Sequence, residues 1–207
     1  MQVTADQINR RAAQPGPLHI LFVGNLIPRK GLHTLLKALM DLPRSSWTLD
    51  VVGGISTSDG YTKKIISTIA GAGLEKQVHL LGTLGNPDLP ALLARSHVLA
   101  VPSQYEGFGI VYLEAMAAGM PVIASAAGAA HEIVTPEQTG FLVAPGDASA
   151  IAAALTRLHE DRSLLARMGH AAQDHYAQHP TWAQSGARIR DFLTSPRIAQ
   201  SPNLLIS

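Results

Sequence analysis

Short apolar runs alternate with helix-period segments along most of this chain, and that alternation leaves few folds open. The runs fall at 18–23, 47–52, 78–81, 97–101, 121–124 and 141–143. Between them, helical spacing predicts helices over 31–42, 59–72, 87–95, 109–118 and 129–134. The runs are apolar throughout rather than alternating with polar residues, so both faces of their sheet are expected to be covered. Covered strands joined by helices imply right-handed crossovers and a parallel sheet. The expectation is a doubly wound, Rossmann-like three-layer α/β/α domain of about six strands. Such sheets bind ligands at the carboxyl ends of their strands, near the reversal of strand order. Gly24, Gly53, Gly82 and the segment 102–109 all follow strands and are expected to converge on that rim.

Length and composition narrow the field further. A chain of 207 residues supports one sizeable core, expected over 18–195. Residues 1–17 read as a short polar helix and a linker, and 196–207 as a frayed tail. Asp147 suits the N-cap of a helix to about residue 160, and helices over 162–178 and 181–193 follow. Net charge is +1, without the basic surplus of a nucleic-acid-binding protein. There is no cysteine, which excludes disulfides, thiol catalysis and cysteine metal sites. The polar N-terminus lacks the apolar core of a signal peptide. The most apolar window, 109–130, is interrupted by Glu114, Gly119 and Pro121, so it reads as helix, turn and strand rather than a membrane span. A soluble protein without a transmembrane segment is expected.

Three segments carry candidate chemistry. After the first strand, Pro28 suits a first-turn position, which places Arg29 and Lys30 at a helix N-terminus. Cations there oppose the helix dipole, an arrangement that makes sense when an anion docks between them. The plain alternative has both side chains pointing into water. Neither the G-x-G-x-x-G fingerprint nor a G-x-x-x-x-G-K-[ST] loop occurs, so neither of those phosphate-binding families is indicated. The second segment runs from Ser103 to Met116 and holds Glu106 and Glu114 around Gly107-Phe108-Gly109. The helix after the turn is nearly all apolar and is expected to be buried all round, where a carboxylate needs partners. In a continuous helix the two carboxylates would lie roughly 12 Å apart along the axis, too far for a proton-sharing or glycosidase pair. That distance suits two ends of one elongated ligand. Gly107 and Gly109 permit positive φ and close approach, and free amides follow at the helix start. Alternatively, Glu106 is a solvated loop residue and Glu114 a core carboxylate bound to a backbone amide. In the third segment, Gly128 either admits an anion or sugar hydroxyl to the backbone or is a turn glycine. The nine histidines share no metal-binding spacing, and no Asp-x-Asp pair is present to hold a cation on a diphosphate.

Taken in order, these segments resemble glycosyltransferase family 4, the retaining group with the GT-B fold. The matching residues are Val23-Gly24…Lys30-Gly31, Val78-His79-Leu80-Leu81-Gly82 and Pro102-Ser103 leading into Glu106-Gly107-Phe108-Gly109. They continue through Glu114-Ala115…Gly119-Met120-Pro121-Val122-Ile123-Ala124, Gly128…Glu132-Ile133-Val134 and Gly140-Phe141-Leu142-Val143…Gly146-Asp147. The resemblance implies the C-terminal, donor-binding half of a hexosyltransferase that acts with retention and needs no metal or other cofactor. It implies that Lys30 binds the diphosphate of a UDP-, GDP- or ADP-sugar and that Glu114 binds the ribose hydroxyls. Glu106, with the amides of Phe108 and Gly109, is implied to meet the transferred sugar and the diphosphate, making Glu106 and Lys30 the catalytic candidates. Gly24, Asn25, Arg29, Gly53, Gly107 and Ile110 complete the donor site, and Thr83 and Leu84 border the base.

Two departures stand out. Many members carry arginine where this chain has Asn25, with Arg29 the nearby cation. Members also have two Rossmann-like halves, and only the second is expected here, so Met1 would begin near the interdomain linker and the chain alone would be inactive. The missing partner is an N-terminal acceptor domain, whose presence would leave the protein cytoplasmic or peripheral to a membrane. A non-catalytic nucleotide-sugar-binding subunit shares the same site. A GT-B-like sugar-nucleotide epimerase shares the nucleotide site too, but the E-x7-E segment with its GFG turn belongs to the transferase pattern.

Overall fold

The computed structural model describes residues 3–56, 58–85, 88–180 and 182–194. The order of elements is α1 (Ala5–Ala12), β1 (Leu18–Val23), a 3-10 turn (Pro28–Lys30), α2 (Leu32–Met40), β2 (Trp47–Val52) and α3 (Gly60–Gly71). Then come β3 (Val78–Gly82), α4 (Asp88–Arg95), β4 (Val98–Val101), α5 (Ile110–Ala117), β5 (Val122–Ser125) and α6 (Ala130–Ile133). The chain continues through β6 (Gly140–Val143), α7 (Ala148–Glu160), α8 (Arg162–Gln178) and α9 (Trp182–Leu193). The expected helix starts at Pro87 and Thr181 and the tail from 196 lie outside the described residues. Aspartates cap α3 and α7, of which the cap of α7 is the one expected. Asp59 accepts the Thr62 amide at α3, and Asp147 accepts the Ala150 amide at α7.

All six strands are parallel, in the order β3-β2-β1-β4-β5-β6. This is the doubly wound order, and its reversal lies between β1 and β4. Helices α2, α3 and α7 pack together over one face, and right-handed crossovers carry α4 and α5 over the other. Strands β4 and β5 are wholly buried. Strands β1, β2 and β3 are not, contrary to the expectation of complete cover. His19 on β1, Asp50 on β2 and His79 on β3 interrupt the apolar runs. Asp50 accepts from His79 at 2.8 Å and from Arg95 at 2.9 Å. Of these strands only β3 is an edge strand; His19 and Asp50 lie on inner strands and keep polar side-chain partners there, Thr48 for His19 and both His79 and Arg95 for Asp50.

The chain divides into two compact units, Met1–Tyr176 and Ala177–Ser207, and the described part of the second is α9. Within the first unit, α1 seals the amino ends of the strands, opposite the rim where ligands bind. Its capping box, Thr4 with Gln7, starts the helix, and Ile8 packs against Gly119 and Gly169. Arg11 is buried and donates to the carbonyls of Leu93, Ala94, Ala118 and Gly119, at the carboxyl ends of α4 and α5. Those carbonyls carry the negative ends of two helix dipoles, which is where a cation without a carboxylate partner is stabilised. Burial still lowers its pKa to about 10.

His97 locks α1 to β1. Its Nδ1 accepts the His19 amide at 2.8 Å, and its Nε2 lies 2.9 Å from the Arg11 carbonyl, so the ring is neutral with the proton on Nε2. Desolvation lowers its pKa from 6.5 to about 4, assisted by the charges of Arg162, His19 and Arg11 and opposed by the bond to the Arg11 carbonyl. A folded-state pKa below the unfolded one means that the unfolded chain binds the proton more readily. The contribution of His97 is therefore complete above about pH 6.5 and is lost as pH falls towards 4, by about 3 kcal/mol. Urea denaturation between pH 7 and 4 is expected to show that loss, and His97→Asn to flatten it. An unchanged slope in the variant would place the titration elsewhere.

Candidate functional site

The site forms where the loops after β1 and β4 cross at the reversal of strand order. Gly31 follows the 3-10 turn with φ 76°, in the left-handed region that favours glycine. A Cβ there would collide with the Pro102 carbonyl. This contact brings the β1 loop against the β4 loop, and two hydrogen bonds hold it. The Gln104 amide donates to the Arg29 carbonyl at 2.8 Å, and Arg29 Nη1 donates to the Tyr105 carbonyl at 2.7 Å. Arg29 and Lys30 therefore sit in a separate 3-10 turn, not in the first turn of α2 as expected. The left-handed Gly31 separates the two elements, so α2 starts only at Leu32.

Lys30 reaches across the crevice. Its stem lies over Gly24, where a Cβ would stand 3.4 Å from the Lys30 Cγ and Cδ atoms. Its Nζ donates to Glu106 Oε2 at 2.7 Å, with the two side chains 16% and 12% exposed. The same Oε2 accepts from Ser103 Oγ at 3.2 Å. Glu106 is also held through its backbone, because its amide donates to the Ala127 carbonyl and its carbonyl accepts from Ala129. Gly128, with φ 72°, makes this third loop fit, since a Cβ there would strike the Glu106 carbonyl. Gly128 thus serves the close passage of two backbones. Burial on its own would raise the pKa of Glu106. The hydrogen bond and charge of Lys30, the Ser103 hydroxyl and the charge of Arg29 outweigh it and hold the carboxyl below its ordinary range.

Glu114 behaves in the opposite way. Helix α5 buries Tyr112, Leu113, Ala115 and Met116, while Ile110 and Glu114, one turn apart, are exposed. The expectation of a helix buried all round is therefore corrected. Only the side facing β4 and β5 is covered, where Tyr112 donates its hydroxyl to the Val101 carbonyl at 3.1 Å. Partial desolvation by its apolar neighbours raises the pKa of Glu114, and no hydrogen-bond partner of its carboxylate is found among the described residues. Glu106 lies outside the helix, so the axial spacing of a continuous helix does not apply. Gly109, with φ 73°, caps α5 in the left-handed region. Of the two glycines that permit positive φ, Gly109 adopts it and Gly107 does not. The amides of Gly109, Ile110 and Val111 have no acceptor among the described residues, which leaves donors at the start of α5.

The remaining candidates are spread along the rim. Asn25 accepts the Gly54 amide with its Oδ1 at 3.3 Å and ties the β1 loop to the β2 loop. Gly53 donates to the Gly82 carbonyl at 2.9 Å and meets the Gly24 backbone closely. Thr83 is exposed and Leu84 half-buried, after edge strand β3 and two strands away from the crossing. Tyr105, Phe108 and Ile110 are large apolar side chains exposed beside the crevice. The fully buried Ser103 is a site residue that the sequence does not single out, because its role depends on a partner that only the folded loop supplies. Its signal is a hydroxyl placed directly after a buried strand and a proline. Among the described residues, no group of three or more His, Asp or Glu is placed to hold a metal ion, and no helix is long and apolar enough to cross a membrane.

Comparison with known proteins agrees with this geometry. Glycogen synthase from Mycobacterium tuberculosis is 33% identical over 195 residues, 93% of this chain and 46% of that protein. A GDP-mannose-dependent phosphatidylinositol monomannoside mannosyltransferase from Mycolicibacterium smegmatis is 34% identical over 192 residues, 87% of this chain and 49% of its own length. The chain thus spans about half the length of the curated relatives it matches. Among solved structures, HepE from Anabaena, crystallised with UDP and glucose, superposes with a TM-score of 0.81 at 30% identity, over 94% of this chain and 53% of HepE. The C-terminal domain of a group 1 glycosyl transferase from Francisella tularensis, LpcC, superposes with a TM-score of 0.70 at 28% identity, over 84% of this chain and 91% of that domain. The family described as glycosyl transferases group 1 matches residues 4–175. With the doubly wound sheet and the crossing of its β1 and β4 loops, this places the chain in the glycosyl transferases group 1 family, as the C-terminal Rossmann-like half of a GT-B fold.

Proposed function

We propose that this chain is the donor-binding half of a retaining, metal-independent hexosyltransferase of family 4. The observation that carries the reading is Lys30, a half-buried cation at the reversal of strand order, paired with Glu106 in the loop that leads into α5 and its open amides. A diphosphate placed there is met by Lys30, by the amides of Gly109 and Ile110, and by the remaining donors of Arg29. Such fixed positive groups stabilise charge that grows on a leaving diphosphate. Glu114, exposed and without a partner among the described residues, takes the ribose hydroxyls. Glu106 offers its Oε1 to a sugar hydroxyl, because its bonds to Lys30 and Ser103 both use Oε2. Thr83 and Leu84 border the base. HepE, which binds UDP and UDP-glucose, supports a nucleotide-sugar donor.

In the proposed reaction, the anomeric C–O bond breaks and its electron pair leaves on the diphosphate. The acceptor oxygen bonds the anomeric carbon on the same face, and its proton passes to the departing phosphate oxygen. The acceptor is proposed to be held by a partner half that docks over the apolar rim of Tyr105, Phe108 and Ile110, since exposed apolar groups of this kind mark interfaces.

Two measurements test this reading. Calorimetry with UDP, GDP and ADP in the presence of a chelator is expected to show binding of at least one. No binding by folded protein would remove the site assignment. Glu114→Ala is expected to weaken that binding roughly tenfold through loss of charge-assisted hydrogen bonds, a loss that Glu106→Ala is not expected to show. Equal losses would contradict a division of roles between sugar and ribose.

A further inference from the structure

Lys30 already has an anion in this structure, the carboxylate of Glu106 at 2.7 Å. We propose that Glu106 is an intramolecular stand-in for the donor diphosphate, which holds Lys30 when no donor is bound and competes with the nucleoside diphosphate for it. The inference rests on the donor-site reading and adds a regulation that reading does not contain.

Four observations carry it. The pair is shielded, with 16% and 12% of the two side chains exposed, so water screens it less than a surface pair. Glu106 is anchored independently of Lys30, because its backbone is bonded on both sides to the Ala127–Ala129 loop and its Oε2 accepts from Ser103. The Lys30 stem, by contrast, lies across the bare backbone of Gly24, and its ammonium has one hydrogen-bond partner among the described residues. Finally, the carboxylate and an incoming diphosphate are both anions next to a single ammonium, so each weakens the hold of the other.

This competition separates donor from product. An intact nucleotide sugar draws Lys30 away but returns a sugar hydroxyl to Glu106. The nucleoside diphosphate left after transfer returns nothing, so the Glu106 carboxylate reclaims Lys30 and favours release. The alternative arrangement, in which Glu106 holds Lys30 ready for the phosphate, predicts the opposite sign on removing the carboxylate charge.

The test is calorimetric titration of UDP, GDP and ADP into the wild type, Glu106→Gln, Lys30→Met and the double variant, with thermal melts confirming that each is folded. Glu106→Gln keeps the size and the Ser103 partner but removes the charge. It is expected to bind the nucleoside diphosphate about three- to tenfold more tightly, and the gain is expected to vanish in the Lys30→Met background. Should Glu106→Gln fail to fold, Glu106→Ala serves with the same expected direction. If the wild type binds and the Glu106 variants bind equally or more weakly, the stand-in is overturned while the donor site remains. A gain that persists without Lys30 overturns it too. If neither the wild type nor any variant binds a nucleoside diphosphate, the donor-site reading falls and the stand-in with it.

Discussion

Everything at the rim of this sheet depends on how closely the β1 and β4 loops pass each other. A parallel sheet that reverses its strand order sends the crossovers on either side of the reversal to opposite faces. The loops there diverge around a crevice. In this chain the crevice is bridged by Gly31 lying against the Pro102 carbonyl and by Arg29 bonded to Gln104 and Tyr105. A side chain on Gly31 would push the loops apart. The reach of Lys30 to Glu106 would then be lost, and with it the low pKa of that carboxylate. The single backbone contact therefore sets both the geometry and the electrostatics of the site.

The two glutamates illustrate how environment divides roles between identical side chains. Glu106 is drawn into the crossing, where desolvation is more than offset by Lys30, Ser103 and Arg29. Glu114 stands on the outer side of α5 with no such partners, and partial desolvation pushes its pKa the other way. An ionised carboxylate already bonded to a cation and one left open to a ligand are different chemical tools. The fold creates this difference by ending β4 early enough for Glu106 to fall in the loop and Glu114 in the helix.

Much of this was legible from residue order. The boundaries of β1 and β2 follow from apolar runs that stop at glycine, and Asp147 announces α7 as its cap. The approach of Gly24, Lys30 and Glu106 to one rim follows from their positions after parallel strands. Other features were not legible. The 3-10 turn at Pro28–Lys30 has the same local pattern as the start of α2, and only the left-handed Gly31 separates them. The composition of α5 suggests burial on every side, but among the described residues Ile110 and Glu114 stay exposed. Arg11 reads as a polar surface residue in a short helix until two helix ends are placed around it.

What the sequence determined by itself is the succession of strands and helices, their parallel arrangement and the set of residues that could line the rim. These depend on periodicity, caps and turn residues, which act over a few positions. Only the tertiary structure decided that Lys30 and Glu106, separated by 76 positions, form a shielded ion pair, while Glu114 faces outward. The reason is that pairing across a sheet depends on strand order and on the clearance between backbones. Neither quantity is encoded in the local pattern of either segment.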